Sequence, residues 1–369
     1  MTLRINPSTF LWLLLLLGVT ACAKQEPLPE TDWSFQELTG PSGIDFYQEA
    51  QLADVRNEGT NRLTAVSWGK WLEIWPENET QLTGAAWDVH GADIRSVVTG
   101  DIRGDGKNRV YALTDSPGKN EVYEFTWEGV SWQRELIASD IAKVLLDPAI
   151  ADLRGEGKAS LYCMNYSNGT SFFEIRWDQG QWHTNQVMNV EEILQVHAAM
   201  ASSFRDPQKE EIMYTVTFEG LRELYLDDQG TWRFEQVSRH PISYLMPMAI
   251  GNIRKGVKGC YAGVNNEVVE ITFENGNWES RPLVAVDCGN IKYMTIGEVK
   301  WEGTPQLFMV TEGGFLAELA WKGDHWKVDC TELPQSMERP IFSGQLYGQP
   351  EARLFIHAYE GNLLELEPS

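Results

Sequence analysis

The chain has 369 residues, a formal charge of −23, 43% hydrophobic and 22% charged residues, and 15 Trp. That balance builds an apolar core and excludes a disordered chain. So acidic a composition also excludes a nucleic-acid reader, which needs clustered Lys and Arg. It excludes recruitment to anionic lipid by charge alone.

Met1 to Ala21 predicts a secretory signal. Arg4 supplies the positive end, and Phe10–Val19, with five consecutive Leu, supplies an apolar run. The run is too short to span a bilayer, which takes about 20 residues. It ends Val19-Thr20-Ala21-Cys22, which resembles the bacterial lipobox. The resemblance implies a diacylglycerol on the Cys22 thiol, cleavage before that residue, and acylation of the freed amine. Two or three acyl chains supply the multiple signals that stable anchoring needs. Ala23, rather than Asp, implies by the same resemblance sorting to the outer membrane. Processing takes the charge from −23 to −24.

Residues 22–31 then form the lipidated Cys and a short tether (AKQEPLPET), polar and containing two Pro. The folded domain is expected over residues 32–369. Four further cysteines, Cys163, Cys260, Cys288 and Cys330, show no CxxC or metal spacing. They read as buried strand residues. An exported protein can oxidise such thiols, and Cys260 with Cys288 is the pair nominated if one disulfide forms.

One turn motif recurs along the rest of the chain. It reads ADVRNEG (Ala53–Gly59), GDIRGDG (Gly100–Gly106), ADLRGEG (Ala151–Gly157), SSFRDPQ (Ser202–Gln208) and GNIRKGV (Gly251–Val257). Two weaker copies are GEVKWEG (Gly297–Gly303) and GQLYGQP (Gly344–Pro350). The steps between copies are 47, 51, 51, 49, 46 and 47 residues. Each turn leads into an apolar strand, such as Val110–Leu113. Next comes a strand centred on Glu73, Glu124, Glu174, Glu223, Glu270, Glu318 or Glu365. A Gly hairpin then opens a Trp strand, as in Asp178-Gln179-Gly180-Gln181-Trp182. With the apolar segment before each turn, every unit holds about four short strands and none has a helical period. A repeat of this length and content predicts an all-β, seven-bladed β-propeller. The last copy lacks its Trp strand, and Trp33–Leu38 supplies it from the N-terminus, closing the ring and removing an exposed edge.

The turn D-x-x-G-D-G followed by an apolar strand resembles the FG-GAP or VCBS repeats of integrin-alpha-like propellers, over essentially Trp33 to the C-terminus. In that family the loop holds calcium through acids at positions one, three, five and nine. The resemblance therefore implies a calcium site at Asp101 and Asp105, positions one and five. Arg103 and Arg109 occupy the other two, and a guanidinium repels a hard cation. No other cofactor is implied. Position three is basic in six copies (Arg56, Arg103, Arg154, Arg205, Arg254, Lys300). Each is expected to pair with its own turn Asp or with a strand Glu, organising the loop in place of a metal.

The six His are dispersed, and no GxSxG, Walker loop or GxGxxG is present. No catalytic residue is nominated. Propellers bind ligands at the mouth of the central channel, which directs attention to the residues five or six positions before each turn. These are Glu49, Arg95, Asp147, His197, Lys292 and Arg339, a ligand-binding set whose cations could focus an anionic group. The expected function is a non-enzymatic binding or scaffold module, an outer-membrane-anchored lipoprotein whose partner is an envelope protein or a glycan. The alternative is a propeller lyase or hydrolase acting on an anionic or carbohydrate substrate at the channel mouth, since fold alone does not decide function.

Overall fold

The structure, a computed structural model, describes residues 33–41, 48–67, 69–89, 91–115, 120–139, 141, 145–166, 169–191, 196–216, 219–239, 247–254, 256–300, 303–334, 340–346, 352–357 and 362–368. The signal, Cys22 and the tether lie outside these residues, as does Arg339.

Among the described residues the chain forms 28 strands and no helix. After β1 (Trp33–Leu38), blade one is β2 (Gln48–Ala53), β3 (Arg62–Ser67), β4 (Lys70–Pro76) and β5 (Leu82–Trp87). Blade two is β6 (Asp93–Gly100), β7 (Arg109–Asp115), β8 (Val122–Trp127) and β9 (Trp132–Ala138). Blade three is β10 (Leu145–Ala151), β11 (Ser160–Tyr166), β12 (Thr170–Asp178) and β13 (Gln181–Val190). Blade four is β14 (Val196–Ser202), β15 (Glu211–Val216), β16 (Gly220–Leu226) and β17 (Trp232–Ser238). Blade five is β18 (Met248–Arg254), β19 (Val257–Val264), β20 (Glu267–Glu274) and β21 (Asn277–Ala285). Blade six is β22 (Ile291–Gly297), β23 (Gln306–Thr311), β24 (Phe315–Trp321) and β25 (Trp326–Glu332). Blade seven joins β26 (Ile341–Gly344), β27 (Arg353–His357) and β28 (Leu363–Pro368) to β1.

Each blade is one antiparallel four-stranded sheet in chain order. Blade seven runs β26-β27-β28-β1, with Trp33 opposite Pro368 and Leu38 opposite Leu363. The expected seven-bladed propeller, closed by its N-terminal strand, is therefore the observed fold.

Burial explains the strand sequences. Second strands are covered by blades on both sides, so their centres read as apolar runs, and all of β15 and β23 is buried, including the leading Glu211 and Gln306. Outer strands face solvent on one side, so polar residues enter, as in the exposed Gln133–Leu136 of β9. The core is divided among the seven blade interfaces. One cluster joins blades two and three through Tyr111, Leu113, Leu161 and Cys163. Another closes the ring between blades seven and one through Phe342, Phe355, Leu38 and Leu63.

One disulfide is present, and it is not the nominated one. Cys288, just before β22, bonds to Cys330 on β25, with the Cα atoms 6.4 Å apart. Cys260 is buried in the middle of β19 and remains a free thiol, as does Cys163. The pairing follows the blade instead, stapling the outermost strand of blade six to the loop that leads into its innermost strand.

Candidate functional site

The disc has two faces, and the repeated turn motif belongs to one of them. Turns between first and second strands lie on the same side as the hairpins between third and fourth strands. There the basic residue at position three reaches the buried Glu of its own third strand. Arg56 bonds Glu73 at 2.5 and 2.8 Å. Arg154 bonds Glu174 at 2.8 and 2.7 Å. Arg205 bonds Glu223 at 2.7 and 2.6 Å, and Arg254 bonds Glu270 at 3.1 and 2.7 Å. Arg103 forks onto Glu124 in the same way, and Lys300 reaches Glu318 at 2.6 Å. Of the two partners expected for these cations, the strand Glu is the one used. Blade seven has no basic residue in its turn, and Arg353 on β27 pairs with Glu365 instead.

These pairs also join blades. The Arg56 guanidinium lies 3.9 Å from the Trp127 ring of the next blade, and Arg103 lies 4.0 Å from Trp177. Lys300 sits 4.6 Å from Trp33, the residue of the closing strand. The indole N–H of Trp132 donates to Glu73 at 3.1 Å, and that of Trp278 donates to Glu223 at 2.9 Å. Within a blade, Tyr162 donates to Glu174 at 2.9 Å. Glu73, Glu124, Glu174, Glu223 and Glu270 thus each have a forked guanidinium and at least one neutral donor, the arrangement a buried charge requires. The hydrogen bond to Glu174 holds Arg154 above its ordinary pKa. This face is held by its own residues, and the repeated Arg, Glu and Trp are structural.

The nominated calcium residues lie on this face and have their oxygens engaged. Asp101 accepts N–H bonds from Gly104 at 2.8 Å, Asp105 at 3.2 Å and Gly106 at 2.6 Å. The Arg109 guanidinium grips Asp105 at 2.8 and 2.6 Å and holds its carboxyl at about 2. Backbone donors and a guanidinium together do for this loop what a cation does in the calcium-binding repeats. Asp54 and Asp152 cap their own turns in the same way. The donor set fits an internal cation better than a divalent ion, which wants several uncommitted oxygens.

The opposite face carries the leading ends of the innermost strands, which surround the axis and pack on one another. Here the structure shows something the sequence reading did not identify. Five of these strands are interrupted by a β-bulge near their leading ends, and the nominated residues occupy the bulges. Ladder pairing skips Arg95 between Ile94 and Ser96. It skips His197 between Val196 and Ala198, and Lys292 between Ile291 and Tyr293. In blade one the irregularity covers Glu49, and in blade three it covers Asp147. The side chains of Glu49, Asp147 and His197 lie outside the described set, and Arg339 does so entirely. A bulge leaves its extra residue unpaired and re-aims it, which is why bulges recur beside binding sites. The structure therefore places five of the six nominated residues at one level of one ring.

The two described cations of that ring are loosely held. Arg95 is 52% exposed and lies 3.7 Å from Asp93 and 3.6 Å from Asp115. Lys292 lies 3.5 Å from Glu312. The Asn290 amide, and then the Lys292 charge, hold Glu312 below the ordinary carboxylate range. Contacts of this length and exposure contribute little to stability, so both cations can turn to a ligand without loss to the fold. Asp93, Asp115, Glu312 and Asn290 were not anticipated. Asp115 and Glu312 lie at the connection between second and third strands, outside the repeated turn motif.

No family model matches the chain, and neither does any curated protein. Among solved structures, the fold is similar to that of an Agrocybe aegerita lectin that specifically recognises non-reducing terminal N-acetylglucosamine. The match covers 92% of this chain and 95% of the lectin, with a TM-score of 0.58 at 13% identity. Similarity at that identity extends to the fold and no further.

Proposed function

We propose that this chain is a non-enzymatic binding module of the bacterial cell envelope, tethered by lipid on Cys22 and exported to the outer membrane. Its bulge ring takes a polar, charge-bearing ligand, a glycan or a segment of an envelope protein. The observation that carries the reading is the coincidence of five bulges with Glu49, Arg95, Asp147, His197 and Lys292 around one axis. On the opposite face, by contrast, the repeated Arg and Glu are engaged with one another. Two further facts support it. The Cys288–Cys330 disulfide suits an oxidising compartment, and a sugar-binding lectin shares the architecture.

The test has two arms. Palmitate labelling of the wild type, lost in Cys22→Ala together with membrane association, checks the anchor. For the ring, the purified domain is screened on a glycan array that includes N-acetylglucosamine-terminated sugars. A tagged copy is also extracted in gentle detergent and its stoichiometric partner identified. Whichever ligand emerges, Arg95→Ala with Lys292→Ala should weaken it by about tenfold or more. Unchanged binding in that double variant, or turnover of the ligand, would overturn the reading.

A further inference from the structure

A cavity of about 450 Å³ opens on the turn face of blade four, between the turn 205–211 and the hairpin at 225–228. It is lined by charged residues, and its own cations are already paired. Arg205 is held by Glu223 at 2.6 Å, and Lys209 pairs with Asp228, another lining carboxylate, at 3.2 Å. Asp227, on the wall, is held by Arg233 at 2.9 Å. Three other carboxylates of the lining meet only backbone N–H groups. Asp206 accepts from Gln208, Glu210 from Asp152, and Glu211 from Phe204 and Arg205. Among the described residues none of these three is within ion-pair distance of a cation, though the Arg205 charge acts on Glu211. Glu211 is 2% exposed.

The repeat shows what belongs in this space. The first residue of the second strand is Arg62, Arg109 and Arg353 in blades one, two and seven. Each of these guanidiniums sits between a turn or edge carboxylate and the third-strand Glu. Arg62 lies 3.0 Å from Glu58 and 3.3 Å from Glu73. Arg109 lies 2.6 Å from Asp105 and 3.7 Å from Glu124, and its Nε donates to Thr126 at 3.2 Å. Arg353 bridges Glu365 and Glu367. Blades three, five and six have the neutral Ser160, Val257 and Gln306. In blade four alone the position is acidic, Glu211, and the counterpart of Thr126 is Tyr225, which lines the cavity. Blade four keeps the anionic surroundings and adds one more carboxylate, but lacks the guanidinium.

We propose that this cavity is a binding site for the guanidinium of an arginine in a partner's peptide segment, seated where sister blades hold an internal arginine. The planar fork matches paired carboxylates better than an ammonium does. The volume exceeds one arginine side chain and leaves room for adjoining backbone. The site lies across the disc from the bulge ring, so it stands or falls independently of the ring's ligand.

The experiment titrates the intact protein with N-acetyl-arginine amide, followed by calorimetry and by amide NMR shifts around residues 204–211. Saturable binding is expected, with the neutral isostere N-acetyl-citrulline amide weaker by about tenfold or more. Glu211→Arg, which installs the sister residue, should abolish binding while the melting temperature is kept. Asp206→Asn, a milder change on the exposed wall, should weaken binding about threefold or more if the first variant does not fold. Arg95→Ala with Lys292→Ala should leave it unchanged. Equal affinity for the citrulline compound, or undiminished binding in folded Glu211→Arg, would overturn the proposal. Agmatine binding as tightly as the peptide mimic would overturn the peptide source and point to a small free guanidine.

Discussion

Removing Arg154 should be among the most costly single changes on the turn face. Its partner Glu174 is fully buried, and among the described residues its donors besides Arg154 reduce to the Tyr162 hydroxyl. In Arg154→Met that carboxylate is left charged and uncompensated, a loss of about 3–5 kcal/mol. At roughly 2.1 cal/mol/K of unfolding entropy per residue, a domain this long should melt about 4–7 °C lower. Two comparisons isolate the cause. Arg154→Met combined with Glu174→Gln removes both charges and should recover most of the loss, because a buried pair is worth little against neutral isosteres. Arg56→Met should cost less, since Glu73 keeps Arg62 at 3.3 Å and the Trp132 indole. Calorimetry on the four proteins decides. An Arg154→Met within about 1 kcal/mol of wild type, or a double variant no better than the single, would refute the reasoning.

Stability should also depend on pH through Glu211. Burial pushes this carboxyl up to about 7 from the ordinary 4.5, against the backbone donors Phe204 and Arg205. The folded state therefore holds a proton that the unfolded state has released between those values. Stability contributed here is full below about pH 4.5 and is lost as pH rises to about 7, by on the order of 3 kcal/mol. Denaturant titrations should show that slope in the wild type and a flatter one in Glu211→Gln. Chelator and added calcium should leave the melting temperature unchanged, because Asp101 and Asp105 are already engaged; a calcium-dependent rise of several degrees would contradict this. Reduction of Cys288–Cys330, which closes a 42-residue separation, should cost about 4 kcal/mol. A thiol reagent should find neither Cys163 nor Cys260 in the native protein, since both are buried and burial raises both thiols, Cys163 to about 12.

The propeller was legible because its determinants recur at a fixed pitch, so a weak signal in any one blade is repeated seven times. The Arg–Glu lattice was legible for the same reason: a basic residue at position three of the turn is followed by a third-strand Glu in six of the seven blades, 16 to 21 residues later. Blade seven escaped because it has no turn cation and relies on Arg353, the first residue of β27, nine residues past the end of β26 and outside the turn motif. The bulges escaped for another reason. A single unpaired residue leaves a strand of six to eight residues with a parity break too short to distinguish from ordinary variation. The disulfide depended on where the loop into β22 meets the outermost strand of blade six, and Cys288 and Cys330 come together only once that blade has formed. The blade-four cavity was hidden by the register that revealed the rest. Glu211 looks like any strand acid until it is compared with Arg62, Arg109 and Arg353.

The clasp in blade seven has a mechanical consequence. β1 is both the strand that completes the ring and the strand to which the tether connects. On the proposed lipid anchor, a pull between the membrane and anything held by the disc enters the fold at Trp33. It is borne first by the six residue pairs from Trp33–Pro368 to Leu38–Leu363. Trp33 shares that load sideways, through Phe308 at 5.8 Å and Lys300 at 4.6 Å, both in blade six. Blade seven is thus the fuse of the molecule, and force should open it before any blade that presents the ring.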